Sequence, residues 1–159
     1  MARSTDIIDY DGGAFYLLDN QLSDQTDTIT AIAGGRLRPG TGALAIKTSE
    51  DRSRGNLGRV SVEVGDGQFP PEPTDAEFID EISYSTELGS QRIGDCYFAE
   101  CRGELNGTLT PPGPARIHVR LYQVPGPHEP FHASAPGYES RMVPVNEHLL
   151  LHLWSEPSA

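Results

Sequence analysis

Two short strings in this sequence have the residue types and spacing of a reactive or metal-binding site. His128-Glu129-Pro130-Phe131-His132 matches the zinc-protease pattern H-E-x-x-H letter for letter. That chemistry needs a helix, which sets both imidazoles on one side of a turn with the carboxylate beside a metal-bound water. Pro130 stands inside the string, Pro125 and Pro127 precede it, and Pro136 follows. Proline removes a helical hydrogen bond and clashes with the preceding turn, so the string is expected in an exposed loop. Asp9-Tyr10-Asp11-Gly12-Gly13 opens like a calcium loop. Such a loop wants an oxygen-bearing side chain at its fifth place and Glu at its twelfth, where this chain has Gly13 and Asn20.

The remaining reactive side chains are scattered. His148 and His152 are four apart in an alternating segment, which places them on one strand face about 13 Å apart, too far for one metal ion. Cys96 and Cys101 are five apart on an expected strand over 93–101. They would face opposite ways, roughly 16 Å apart along the strand, whereas a disulfide wants Cα atoms within about 7 Å. Free thiols suit a reducing compartment, and cysteines on strands more often fill space than attack substrates. There is no phosphate-binding glycine loop, no dinucleotide fingerprint and no G-x-S-x-G string. The spacing of Ser, His and Asp nominates no triad. No catalytic residue, metal or cofactor is assigned.

Charge says more. The 159 residues carry 12 basic and 23 acidic side chains, a net charge of −11. A chain of that sign repels nucleic-acid phosphates and anionic membranes. Residues 36–59 form a short basic stretch, and residues 60–100 hold ten acids against Arg92 alone. Met1 to Asp6 contains no apolar leader core, and no run approaches the ~20 apolar residues of a membrane helix. The chain is expected in the cytoplasm.

The elements that must carry these groups follow a period of two. Val60, Val62 and Val64 alternate with Ser61 and Glu63. Ile117, Val119 and Leu121 alternate with His118, Arg120 and Tyr122. Leu149, Leu151 and Leu153 alternate with His148, His152 and Trp154. Weaker runs lie at Phe15–Asp19, Ile29–Ala33, Ala43–Thr48 and Phe78–Ser85. Leu105-Asn106-Gly107-Thr108-Leu109 reads as a hairpin tip, and residues 49–58 and 125–137 as loops. Residues 74–81 have the pattern of one short helical turn capped by Thr74. With 17 Gly and 13 Pro punctuating the chain, the expectation is an all-β fold. It is a single antiparallel β-sandwich domain over 1–159, with about seven to nine short strands and at most one short helix.

The order of features also resembles known proteins. Phe15-Tyr16-Leu17-Leu18-Asp19 leads through a Gly-rich turn to Ala43-Leu44-Ala45-Ile46-Lys47-Thr48. Then come Val60–Val64, the Pro70-Pro71-Glu72-Pro73 connector, Glu81-Ile82-Ser83-Tyr84, and the closing His148–Pro157 segment. This pattern resembles a group of uncharacterised bacterial β-sandwich proteins and is distantly similar to the competence-J type nuclease inhibitors. The resemblance implies an acidic, cytoplasmic protein that binds a partner nuclease. It carries over no residue role.

Glu72, Asp75, Glu77, Asp80 and Glu81 project around the Pro-rich connector and are the expected partner-binding residues. They suit a basic protein drawn in by charge, such as a nuclease or toxin whose own site receives phosphates. The expected function is a non-enzymatic binding protein of inhibitor or immunity type. The alternatives are a small-molecule or metal-binding sandwich using His118, His128, His132, His148 or His152, and a structural subunit whose edge strands pair between copies. The residues leave the oligomeric state open.

Overall fold

The computed structural model describes residues 3–9, 13–19, 35–40, 42–48, 57–95, 101, 103–133 and 141–158. Within them the chain is all β. The strands are β1 (Ser4–Asp9), β2 (Ala14–Leu18), β3 (Leu37–Gly40), β4 (Ala43–Lys47), β5 (Leu57–Val64) and β6 (Glu77–Thr86). They continue with β7 (Arg92–Gly94), β8 (Ala115–Val124), β9 (Phe131–Ala133), β10 (Arg141–Val143) and β11 (Val145–Pro157). Five form one sheet in the order β1-β5-β11-β8-β6. Four form a second in the order β3-β4-β2-β7, and β9 and β10 make a separate ribbon.

The three clear alternating runs form the centre of the five-stranded sheet. β11 lies between β8, which it pairs antiparallel, and β5, which it pairs parallel with Leu151 opposite Val62. That parallel pair is the exception to an otherwise antiparallel pattern, and it requires the chain to cross over rather than turn back. Period two sends Val60, Val62, Ile117, Val119, Leu121, Leu149, Leu151 and Leu153 to one face. There they share a single core with Phe15, Leu17, Leu44 and Ile46 of the second sheet. The two sheets are thus the halves of a sandwich-like fold. Arg36 ties them further, donating to both carboxylate oxygens of buried Glu147 at 3.1 and 3.2 Å and to the Lys47 carbonyl at 2.9 Å.

One end of the core is closed by a buried polar network. Gln91 is wholly buried. Its Oε1 accepts from the Tyr84 hydroxyl at 2.6 Å, its Nε2 donates to the Gly89 carbonyl at 3.1 Å, and its N–H donates to Thr110 Oγ1 at 2.9 Å. Burial pushes the Tyr84 phenol well above its ordinary pKa, which keeps it a neutral donor. Gly89 sits at φ 63°, and a Cβ there would meet the Pro111 carbonyl oxygen at 2.4 Å, so only glycine fits. Gln91→Leu would strand two buried polar groups. It should cost about 2–3 kcal/mol in urea unfolding; an unchanged midpoint would refute this account.

Several expectations are corrected. Residues 77–81, read as part of a helical turn, are the start of β6. Packing of Ile79 and Ile82 against the core outweighs the weak local preference. Of the expected strand over 93–101, β7 forms at Arg92–Gly94, residues 96–100 lie outside the described residues, and Cys101 is buried outside any strand with its Sγ 3.8 Å from the Ile93 carbonyl. Leu105–Leu109 is not a hairpin tip, since no strand among the described residues flanks it: a turn over Gly103–Asn106 returns the Asn106 N–H to the Gly103 carbonyl at 3.1 Å, and Leu105 is buried. Residues 131–133 of the expected loop form β9, and 57–58 already belong to β5. The expected strand at Ile29–Ala33, Cys96, and residues 49–56 lie outside the described residues.

Candidate functional site

Alternation gives the five-stranded sheet a second face, and this one is polar and aromatic. Neighbouring strands place these residues in rungs. Ser61 pairs Leu150, which pairs Tyr122, which pairs Phe78. Glu63 pairs His152, which pairs Arg120, which pairs Glu81. Trp154 pairs His118, which pairs Ser83.

The second rung is a line of alternating charge. Arg3 donates to Glu63 at 3.1 Å, and His152 Nε2 donates to the other Glu63 oxygen at 3.1 Å. At the far end Arg120 is ion-paired with Glu81. Both arginine pKa values are raised, chiefly by hydrogen bonds to carboxylates. His152 is fully buried and its Nδ1 has no hydrogen-bond partner. Burial pushes its pKa down, against the opposing pull of Glu63.

The connector between β5 and β6 lies across this face and is pinned at two points. Asp75 accepts from Nη1 and Nη2 of Arg3, at 2.7 and 3.0 Å, and this holds its carboxyl below the usual range. Phe69 meets Trp154 and His118 edge-on, at 6.4 and 6.5 Å, and the Arg120 guanidinium stands 4.0 Å over its ring. Such aromatic and cation–π contacts stabilise by roughly 0.5–1.5 kcal/mol each.

The five expected partner-binding acids fall into two groups. Glu72, Asp75, Glu77 and Glu81 are all exposed, but two of them are engaged. Asp75 is bound to Arg3 and Glu81 to Arg120. Asp80 turns inward at a bulge in β6 and accepts the Leu37 N–H of β3 at 3.3 Å. Beside the exposed acids stands Phe78, 57% exposed, its ring edge-on to Tyr122 at 5.9 Å. Leu88 is 41% exposed near the other end of β6, next to exposed Glu87. Phe78 lies in the run read as a strand, but its exposure had no sequence signal, because an apolar residue at that phase reads as core.

The opposite edge of the sheet is closed by carboxylates. Thr5 N–H donates to Glu104 at 2.7 Å, and Asp6 accepts from Gly103 N–H at 2.9 Å. Inward and edge-facing acids of this kind blunt strand addition.

The histidines are spread over the polar face and its margin. His148 shares its strand face with His152, as expected. Its Nε2 meets the Ser61 hydroxyl at 2.7 Å, and Ser61 meets Thr5 Oγ1 at 2.8 Å. His128 lies edge-on to His148, with ring centres 6.2 Å apart. His128 also lines an open apolar cleft of about 410 Å³ with Pro127, Pro130, Met142, Pro144 and Val145. His132 is exposed in β9. Among the described residues no three His, Cys, Asp or Glu side chains cluster as a metal ligand set.

One grouping of reactive side chains among the described residues is one the spacing did not nominate. The Ser83 hydroxyl meets His118 Nδ1 at 2.7 Å, and His118 Nε2 meets Glu156 Oε2 at 2.9 Å. These residues are 35 and 38 positions apart, and only the strand register unites them. No helix among the described residues is long and apolar enough to cross a membrane. No protein-family model, curated protein or solved structure matches the chain.

Proposed function

We propose that this is an acidic cytoplasmic binding protein of inhibitor or immunity type, which engages a basic protein through the β6 edge and the connector before it. The observation that carries the reading is Phe78. A phenylalanine 57% exposed on an edge strand, with exposed Glu77 beside it in sequence, has the make-up of an interface anchor within a charged rim. Tyr122 beneath fixes its ring. Asp80 turned inward at the bulge disfavours docking by strand addition, so the partner would meet side chains instead. The net charge of −11 speeds encounter with a cationic surface and makes it salt-sensitive. Glu72 and Glu77 supply uncommitted charge, while Asp75 and Glu81 contribute through their ion pairs. A nuclease or toxin, whose own site receives phosphates, has the required cationic surface.

The test is capture from native cell extract at low and moderate salt, with the protein immobilised. One basic partner should be retained at low salt and released as salt rises. The triple variant Glu72→Lys, Glu77→Lys, Phe78→Ala should bind that partner about 100-fold more weakly. Retention that ignores salt, or a variant that binds as wild type, would overturn the proposal.

A further inference from the structure

On the polar face of the five-stranded sheet, Ser83, His118 and Glu156 belong to three neighbouring strands, β6, β8 and β11. Ser83 is the cross-strand partner of His118, and Trp154, two residues before Glu156, is its partner on the other side. The Trp154 ring stacks on the imidazole at 4.1 Å with 14° between planes, and Phe69 closes on both edge-on. The imidazole is therefore held in one plane from two sides. Glu156 is a carboxylate and can only accept, so His118 Nε2 carries the hydrogen of their 2.9 Å bond. The Nδ1 lone pair is then left to face the Ser83 hydroxyl at 2.7 Å. This is the division of labour that activates a serine: a base within hydrogen-bond reach and a carboxylate that fixes its tautomer. Ser83 and His118 are only partly buried, so a substrate can approach from solvent.

We propose that Ser83 is a nucleophile toward activated acyl esters, with His118 as its general base and Glu156 as the positioning carboxylate. Ser83 Oγ bonds to the ester carbonyl carbon while its proton passes to His118 Nδ1. The tetrahedral adduct collapses, the bond to the alcohol oxygen breaks, and His118 returns the proton to that oxygen. Water then attacks acyl-Ser83 with His118 again taking the proton, and the carboxylic acid leaves with Ser83 restored. The aromatic rings of Phe69 and Trp154 around His118 favour an ester with an aromatic or flat apolar alcohol. The chemistry needs no partner protein and is independent of the docking proposal.

The whole protein, alone, is treated with a fluorophosphonate probe and separately with para-nitrophenyl acetate. A fluorophosphonate should phosphonylate Ser83, expelling fluoride, and peptide mass mapping should place the adduct on that residue. Ester cleavage should fall to background in Ser83→Ala and by about 100-fold in His118→Asn, the scale of a lost general base. Glu156→Gln, which can turn either amide atom toward Nε2, should lie between them and wild type. Ser83→Ala removes one surface hydroxyl, and matching thermal unfolding confirms its fold. Absence of the adduct in wild type, an adduct on another residue, or cleavage that survives Ser83→Ala would overturn the proposal.

Discussion

Glu63→Ala should destabilise the protein by about 3 kcal/mol, lowering the thermal midpoint by roughly 6–12 °C in a chain this size. Glu63 is 14% exposed and is the centre of the charged rung. One of its oxygens holds Arg3, and the other holds the buried His152 Nε2. Truncation leaves a buried imidazole with neither nitrogen paired, and loosens the Arg3 guanidinium that anchors Asp75 of the connector. The cost is mostly the penalty for the groups left behind rather than the net worth of the ion pair. A double variant separates the two. Glu63→Leu with His152→Leu removes both partners and replaces them with apolar groups of similar size. It should be less destabilised than the sum of the single changes by about 1–2 kcal/mol. Urea unfolding of the four proteins measures this coupling, and strict additivity would show that the pair does not interact.

The faces of the central strands were legible because alternation is a local property. Val60, Val62, Ile117, Val119, Leu149 and Leu151 are core by phase alone, and the same phase sends His118, Arg120, His148, His152 and Trp154 to the other side. Register is not local. Nothing within β8 says that His118 stands opposite Ser83 and Trp154, since that depends on the bulge in β6 and on the antiparallel register of β11 with β8. The grouping of Ser83, His118 and Glu156 therefore emerges only with the sheet.

Carboxylates show the same divide. A run of acids over Glu63–Glu87 reads from sequence as one exposed ridge, yet its members differ in what faces them. Glu63 is drawn to Arg3 and His152, Asp75 to Arg3, Glu81 to Arg120, and Asp80 to a backbone N–H of the second sheet. Arg3 lies 72 residues from Asp75, and β1, which follows Arg3 directly, had no clear alternation to announce it. Glu72 and Glu77 keep the surface role expected of the whole run. The short strand β3 was hidden for another reason: Pro39 and Gly40 have turn-like character, and pairing within the sheet overrides it.

Acidification from pH 6.5 to about pH 4 should weaken the fold, and His148 should account for a measurable part of the loss. Its pKa is lowered to about 4, first by burial and then by the charges of Arg59, His128 and Arg3, with Asp75 pulling the other way. The unfolded chain takes up this proton near pH 6.5. Between the two values the unfolded state binds more protons than the folded one, so stability rises with pH across that window and falls as pH drops through it. Above the window both states are neutral at this site and it contributes nothing. His148 is half-buried, so solvent screening reduces its share to about 1–2 kcal/mol. His152, also lowered by burial, acts with the same sign. Asp75 acts lower: its depressed pKa stabilises above the ordinary aspartate value and is lost only as pH falls below it. His148→Gln keeps a polar partner for Ser61 but cannot titrate. Its unfolding free energy should therefore drop by about 1–2 kcal/mol less than that of wild type between pH 7 and pH 4.5. Parallel losses in the two proteins would place the acid sensitivity elsewhere, and His152→Gln measured the same way would show whether the buried rung carries it.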